Sequence, residues 1–118
     1  MKWIIGLLVM GSSLFADVTA VASKGNTLNA TISAEASRCS YYIFLDADAK
    51  VLEIVENPHK DVQGGASSKL ITMLKDKKVS HMIASNFGDK LIGKLQSNHI
   101  KYTVLNGDIN SAIKSLKK

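Results

Sequence analysis

Apolar and polar residues follow two different periods along this chain, and the shorter period predicts strands. Runs rich in β-branched and aromatic residues occupy 18–23, 41–45 and 51–56, and Asn57-Pro58 ends the third run. Only the short segment 46–50 separates the second run from the third, which predicts an antiparallel hairpin. Two further short apolar runs, at 80–84 and 101–105, predict strands in the second half of the chain.

The longer period predicts three amphipathic helices, one before, one between and one after the two later strands. The Gly64-Gly65 pair precedes the first helix, and Asn86 and Asp108 are the expected N-caps of the other two. The apolar positions at helical spacing are Ala66, Leu70, Met73 and Leu74, then Phe87, Leu91, Ile92 and Leu95, then Ile109, Ala112, Ile113 and Leu116.

The resulting order, β-β-β-α-β-α-β-α, predicts a meander followed by two right-handed crossovers. This is the order of an α/β, three-layer ribonuclease H-like fold. In that fold a five-stranded mixed sheet has the order 3-2-1-4-5, strand 2 runs antiparallel, and three helices cover the sheet. The carboxyl ends of strands 1, 3, 4 and 5 open at one edge, where such sheets bind ligands.

Segments 24–40, 57–65, 85–88 and 106–108 are expected at this ligand edge. The connection 24–40 is long for a plain connector, which favours a functional or mobile loop. Gly64 and Gly65 would let the backbone approach a ligand closely, although a simple helix start explains them equally well. All three helices are predicted to begin here, and their free N–H groups favour an anionic ligand.

Cys39 is the single cysteine, so it has no partner for an internal disulfide. A buried small hydrophobe, an intermolecular crosslink and a soft-metal ligand all remain open for it. Arg38 beside it would favour the thiolate and pair with an anion. His59 is the histidine expected at the ligand edge, whereas His81 and His99 are expected to be structural or solvated.

The first residues, MKWIIGLLVMGSSLFA, have the layout of a secretory signal: a lysine, a short apolar run and small residues before Ala16. We therefore predict a signal peptide over 1–16, a single domain over 17–118, and a periplasmic or secreted location. A cut after Ala20 fits the small-residue preference too, but would remove half of the first strand. An uncleaved anchor is a further alternative, although the apolar run is too short to span a bilayer.

The net charge of +5 comes from scattered lysines without an interleaved aromatic pattern. A nucleic-acid surface is therefore not expected, nor is a membrane contact after cleavage of the signal.

Five strings in this order and spacing resemble the dinitrogenase iron-molybdenum cofactor biosynthesis family, the domains of the NifX and NafY type. They are AVASKGNTLNATIS, SRCSYYIFLD, VENP, GGA and HIKYTVLNGDINSAIKSL. The family segment IS-x-HFGR-x-x-YF aligns with ISAEASRCSYY, in which Arg38, Tyr41 and Tyr42 match the family. Its histidine, phenylalanine and glycine are replaced here by Glu35, Ala36 and Ser37. Many members carry a cysteine at the place of Cys39.

The resemblance implies a ribonuclease H-like carrier of an iron-sulfur or molybdenum-containing cluster that is not an enzyme. Cys39 thiolate, with Glu35 or His59 as second donor, would hold the metal, and Arg38 and the helix starts would neutralise its charge. A single thiolate cannot enclose a cluster, so either a homodimer or backbone N–H groups must complete the site. The cofactor-binding residues predicted on this basis are Arg38, Cys39, Gly64, Gly65 and Asn86.

Two other hypotheses compete with an exported carrier. A thiol-bearing interaction module would use Cys39 to form a dimer or a mixed disulfide. An enzyme is the less favoured hypothesis, because two-metal nucleases need clustered carboxylates including one on the first strand, and VTAVAS contains none.

Overall fold

The computed structural model describes residues 17–117, so the predicted signal peptide at 1–16 lies outside the described part. The strands are β1 (Val18–Ser23), β2 (Tyr41–Leu45), β3 (Val51–Glu56), β4 (Val79–Ala84) and β5 (Lys101–Val104). The helices are α1 (Ala66–Asp76), α2 (Asp89–Ser97) and α3 (Ile109–Leu116). Within residues 17–117, no helix is both long and apolar enough to cross a membrane.

The five strands form one mixed sheet in the order β3-β2-β1-β4-β5. Strand β2 is antiparallel to both β1 and β3, and β4 is parallel to both β1 and β5. The predicted fold class, sheet order and antiparallel second strand are therefore confirmed, and the predicted element limits differ only at their ends. Strand β4 starts at Val79 rather than Ser80, and β5 ends at Val104 rather than Leu105.

Alternate residues of the central strands feed two separate cores, one on each face of the sheet. On the face that α1 and α2 cover, Tyr42, Phe44 and Met82 pack against helix residues such as Leu74 and Leu91. We call this the two-helix face. On the one-helix face, α3 covers a second core formed by Val21, Ile32, Ile43, Leu45, Ile83, Ile109 and Ala112. The period of two in the strands explains this division, since successive side chains point to opposite faces.

The helix starts differ from prediction at one place. Gly65 is the N-cap of α1 with a φ of 73°, a left-handed conformation that favours glycine. Asp108 caps α3 as predicted, because its carboxylate accepts from the N–H of Ser111 at 2.9 Å. The prediction of Asn86 as the cap of α2 is wrong, since Gly88 occupies the N-cap position. The Asn86 side chain instead accepts from Gly88 N–H at 3.3 Å, in the turn before the helix.

The long connection 24–40 is hydrogen-bonded to the sheet rather than free of it. The N–H of Ser33 donates to Ala22 O at 2.8 Å, and Ser33 O accepts from the N–H of Ser85 at 2.9 Å. Ile32 N–H donates to Gly107 O at 2.9 Å. These bonds join the connection to β1 and to the segments that follow β4 and β5, so its last part is held at the carboxyl edge of the sheet.

Candidate functional site

A pocket of about 420 Å³ opens at the carboxyl edge of the sheet on the two-helix side. Its walls are residues 34–38 of the long connection, residues 64–67 at the start of α1, and residues 86–88 with Lys90 at the start of α2. The sequence-predicted residues that line it are Glu35, Arg38, Gly64, Gly65 and Asn86. The topology thus brings together three segments that are far apart along the chain.

Two helix N-termini face this pocket, and both begin at glycine. Neither Gly65 of α1 nor Gly88 of α2 has a side-chain cap from the described residues. Since the first N–H groups of a helix have no partner within the helix, these two starts offer donors and a positive dipole end to a ligand. The donors are backbone groups, so they need no particular side chain to present them.

The start of the third helix, α3, does not contribute N–H donors to this pocket. The prediction that all three helix starts serve one cleft is therefore wrong. The N–H groups of Ile109 and Asn110 donate to Ala30 O and Leu28 O, each at 3.0 Å. The next N–H, that of Ser111, donates to the Asp108 carboxylate. The start of α3 therefore binds the long connection of its own chain, and its dipole end is satisfied internally.

The charged groups at the pocket are two cations and one carboxylate. Arg38 is half-buried, and its Nη1 donates to Val62 O at 2.7 Å and to Lys60 O at 3.3 Å. These bonds tie the guanidinium to the connection between β3 and α1. Lys90 lies in the first turn of α2 and is exposed. With Glu35 as the one acidic side chain among the described lining residues, the balance of charge is positive.

Sequence reasoning missed Lys90 and two serines in this wall. The hydroxyl oxygens of Ser37 and Ser67 lie 3.3 Å apart and join the long connection to the first turn of α1. Lys90 follows the N-cap glycine by two positions. The signal that would have identified Lys90 and Ser67 is their place in a first helical turn after a glycine, next to a predicted ligand edge.

Cys39 lies in the core rather than in the pocket wall. Its residue is 2% exposed, it belongs to the two-helix core, and its Sγ is 3.2 Å from Tyr41 O. Burial raises the pKa of the thiol to about 11, so the neutral form dominates despite the neighbouring Arg38. This geometry fits the buried-hydrophobe alternative. It does not support Cys39 as a metal ligand, a cofactor contact or a crosslinking thiol.

The loop segment 36–39, of which residues 36–38 line the pocket, is fixed from below by a buried amide and a buried phenol. Asn57, 6% exposed, donates through Nδ2 to Ser37 O at 3.1 Å and to Cys39 O at 3.0 Å. Tyr42 donates its hydroxyl to Ala36 O at 2.6 Å, and burial raises the pKa of this phenol strongly. Because buried carbonyls are costly to leave unpaired, these bonds specify the shape of the wall.

His59 is separated from the other predicted metal ligands. It lines a different surface hollow together with Lys69, Met73 and Lys77, on the outer side of α1. Among residues 17–117, no three His, Cys, Asp or Glu side chains are grouped as a metal site. The described pocket wall contains no thiolate and no imidazole, and Glu35 is its one carboxylate. A metal cluster in this pocket would therefore be held by hydrogen bonds and charge rather than by a set of protein ligands.

These observations define a class of protein: a three-layer α/β domain with a small polar pocket at two glycine-capped helix starts. Residues 17–118 match the family model described as dinitrogenase iron-molybdenum cofactor, and the chain belongs to this family. The family part of the resemblance seen in the sequence is thereby confirmed.

Solved structures show the same fold. A Thermotoga protein described as a candidate NifB protein is 30% identical, with a TM-score of 0.70 over 84% of this chain and 85% of that one. The apo form of the orange protein from Desulfovibrio gigas is 20% identical, with a TM-score of 0.75 over 83% and 84%. A candidate dinitrogenase from Methanocaldococcus jannaschii is 16% identical, with a TM-score of 0.56 over 86% of each chain. No curated protein matches the chain.

Proposed function

We propose that this domain is a non-enzymatic carrier of a small anionic cargo, an iron-sulfur or molybdenum-type cluster or another anion of similar size. The observation that supports this proposal is the meeting of two glycine-capped helix starts in one pocket of about 420 Å³. A helix start attracts negative charge through its N–H groups and its dipole. Lys90 and Arg38 add positive charge at the same pocket.

The cargo is held without covalent ligation by sulfur or imidazole in this proposal. Backbone N–H groups of residues 66–68 and 89–91 provide directed hydrogen bonds, and the Ser37 and Ser67 hydroxyls provide adjustable ones. Glu35 replaces a donor that many family members supply as histidine, and it is the available carboxylate for a metal at the pocket rim. Such a site releases its cargo readily, as a carrier must.

The first test measures binding of tetrathiomolybdate, a sulfur-rich metallate dianion, to the purified domain 17–118 by titration calorimetry without oxygen. Asn86→Asp is the informative variant, because it adds one negative charge to the pocket wall at nearly unchanged size. A charge about 6 Å from the anion, at an effective dielectric constant of about 40, changes binding by about 1.4 kcal/mol per unit of anion charge. We therefore expect affinity to fall at least tenfold.

Asn106→Asp is the matched control, since Asn106 follows β5 at the same edge of the sheet but lies outside the pocket wall. Lys90→Glu should weaken binding as well, whereas Lys94→Glu, near the end of the same helix, should not. Equal effects of Asn86→Asp and Asn106→Asp would contradict this location of the site. Separately, metal analysis of the protein purified from its native host under nitrogen would identify the natural cargo.

An enzyme is less well supported by this geometry. Strand β1 is VTAVAS as predicted and carries no carboxylate within its described length. Asp46 and Asp48 lie in the β2–β3 turn, where the Asp46 carboxylate accepts from the N–H groups of Asp48 and Lys50. Cleavage of a nucleic acid by the purified domain with magnesium would overturn the non-enzymatic assignment.

We also propose that the domain acts outside the cytoplasm, because the sequence of residues 1–16 has the layout of a secretory signal. Expression of the full chain, followed by fractionation and N-terminal sequencing, tests this. A mature protein beginning at Asp17 in the periplasmic or extracellular fraction is expected. A cytoplasmic protein that retains residues 1–16 would contradict the proposal.

A further inference from the structure

One asparagine of this chain is followed by glycine. Of the seven asparagines, Asn106 alone has this neighbour, Gly107, in the turn between β5 and α3. Asparagine is a thermolabile residue, because the backbone nitrogen of the next residue can attack its side-chain carbonyl carbon and close a five-membered imide. Glycine has no Cβ, so it leaves this nitrogen the most open to reaction. The turn before α3 therefore contains the residue pair of this chain that is most prone to lose an amide group.

The structure leaves both reacting groups of this pair accessible. Asn106 is exposed, and its side-chain amide has no hydrogen-bond partner among residues 17–117. Within the same described residues, the N–H of Gly107 has no backbone acceptor. The turn is held on either side of the pair, because Leu105 N–H donates to Ala84 O at 3.0 Å and Gly107 O accepts from Ile32 N–H at 2.9 Å.

The other asparagines lack this combination of an open nitrogen and a missing side chain. Asn57 is followed by proline, which has no N–H group to react. Asn26 and Asn86 are followed by threonine and phenylalanine, whose side chains shield the nitrogen. For the remaining three, the next N–H already donates to an oxygen of the chain: Asn29, Asn98 and Asn110.

We propose that Asn106 is a site of spontaneous deamidation. The backbone nitrogen of Gly107 loses its proton to solvent and bonds to Cγ of Asn106, and the Cγ–Nδ2 bond breaks to release ammonia. Water then opens the imide at one of its two carbonyl carbons. Breaking the new N–Cγ bond gives aspartate in an ordinary backbone. Breaking the original peptide C–N bond gives isoaspartate, in which the main chain runs through Cγ.

The isoaspartate form disturbs the contacts that hold the start of α3. Its main chain is longer by one carbon atom, directly before Gly107. Gly107 has a φ of 125°, and an added Cβ would lie 3.0 Å from Ser111 Oγ, so the backbone has little room to move toward α3. The bond from Ile32 N–H to Gly107 O and the cap that Asp108 provides both depend on this position. The ordinary aspartate form leaves the main chain, and therefore these contacts, unchanged.

Ageing of the purified domain 17–118 in mildly alkaline buffer tests the site. Peptide mapping by mass spectrometry should show conversion of amide to acid at Asn106, and enzymatic methylation of the free α-carboxylate should identify isoaspartate. Asn110 is the internal control, because the N–H after it, that of Ser111, is bonded to Asp108. Asn106→Gln should stay unmodified, since its longer side chain does not close a five-membered ring. An intact Asn106 in the aged folded domain, or equally fast conversion of Asn110, overturns the proposal.

The structural consequence is tested with Asn106→Asp, which has the charge of the deamidated protein in an ordinary backbone. Freshly prepared, this variant should have the thermal midpoint of the unaged wild type. The deamidated fraction of the aged wild type, separated by ion exchange, should melt lower by at least about 4 °C, the shift expected for loss of one helix cap in a domain of this size. Equal midpoints for this fraction and for Asn106→Asp would overturn the inferred disturbance of α3.

Discussion

Replacement of Asn57 by alanine tests whether the pocket wall depends on a buried amide. Asn57 makes two side-chain bonds to carbonyls, those of Ser37 and Cys39, and its Oδ1 accepts from the N–H of His59 at 2.9 Å. The alanine variant removes these three bonds, and a longer one of 3.4 Å from Nδ2 to the Tyr42 hydroxyl, at a residue that is 6% exposed. Its carbonyl partners lie in the loop that forms one side of the pocket.

The expected cost follows from these bonds. Each contributes about 1 kcal/mol net, so their loss lowers the free energy of unfolding by about 3 kcal/mol. Buried carbonyls left without a donor would increase this figure, and water entering the space left by the amide would decrease it. Against the roughly 5–15 kcal/mol of a typical domain, this is a large fraction.

Urea unfolding, followed by circular dichroism, measures the change through the midpoint and the m-value. Asn106→Ala is the control, because Asn106 is exposed and its loss removes no buried amide. The tetrathiomolybdate affinity of Asn57→Ala should fall as well, since Ser37 and Arg38 lose their support from below. A loss under 1 kcal/mol with an unchanged m-value would refute the assignment of Asn57 as the residue that holds this wall.

Three further predictions concern single side chains. Cys39 should react with a thiol reagent at pH 8 far more slowly in the folded protein than in urea, because burial raises its pKa to about 11; equal rates would contradict its core position. Burial and, to a smaller extent, the positive charge of Lys101 lower the pKa of the His81 imidazole in the folded protein. The unfolded chain therefore binds the imidazole proton more tightly. Stability should thus rise with pH near 6.5, and a His81→Gln variant that keeps the same slope would disprove this. Hydrogen bonds from Ser111 lower the pKa of Asp108, so Asp108→Ala should reduce the thermal midpoint at pH 7, and the difference should vanish as pH falls well below 4. A difference that persists in acid would show that the carboxylate charge is not its source.

The elements of the fold could be predicted from the sequence because their signals are local. The aromatic and β-branched run at Tyr41–Leu45 and the helical spacing after Gly65 each arise within a few residues, and Asp108 caps the helix that directly follows it. Once the order of elements was known, rules of handedness left few arrangements of the sheet. The same rules indicated which edge would gather the ends of the parallel strands.

The composition of the pocket depended on contacts between distant segments, which no local pattern contains. Cys39 precedes β2 at the expected edge, yet the bonds from Asn57 and Tyr42 hold its loop with the sulfur turned into the core.

The sequence by itself determined the strands, the helices, their order and the edge at which the parallel strands end, because backbone periodicity and capping act over a few residues. Tertiary structure decided which side chains and N–H groups face that edge. The first N–H groups of α3 do not serve the pocket, because they donate to Leu28 O and Ala30 O of the long connection. Glu35 lines the pocket at the start of α1, whereas His59 lines a separate hollow along the side of that helix. A buried N–H or C=O group bonds to the partner that tertiary packing places beside it, so its partner is fixed only in the folded chain.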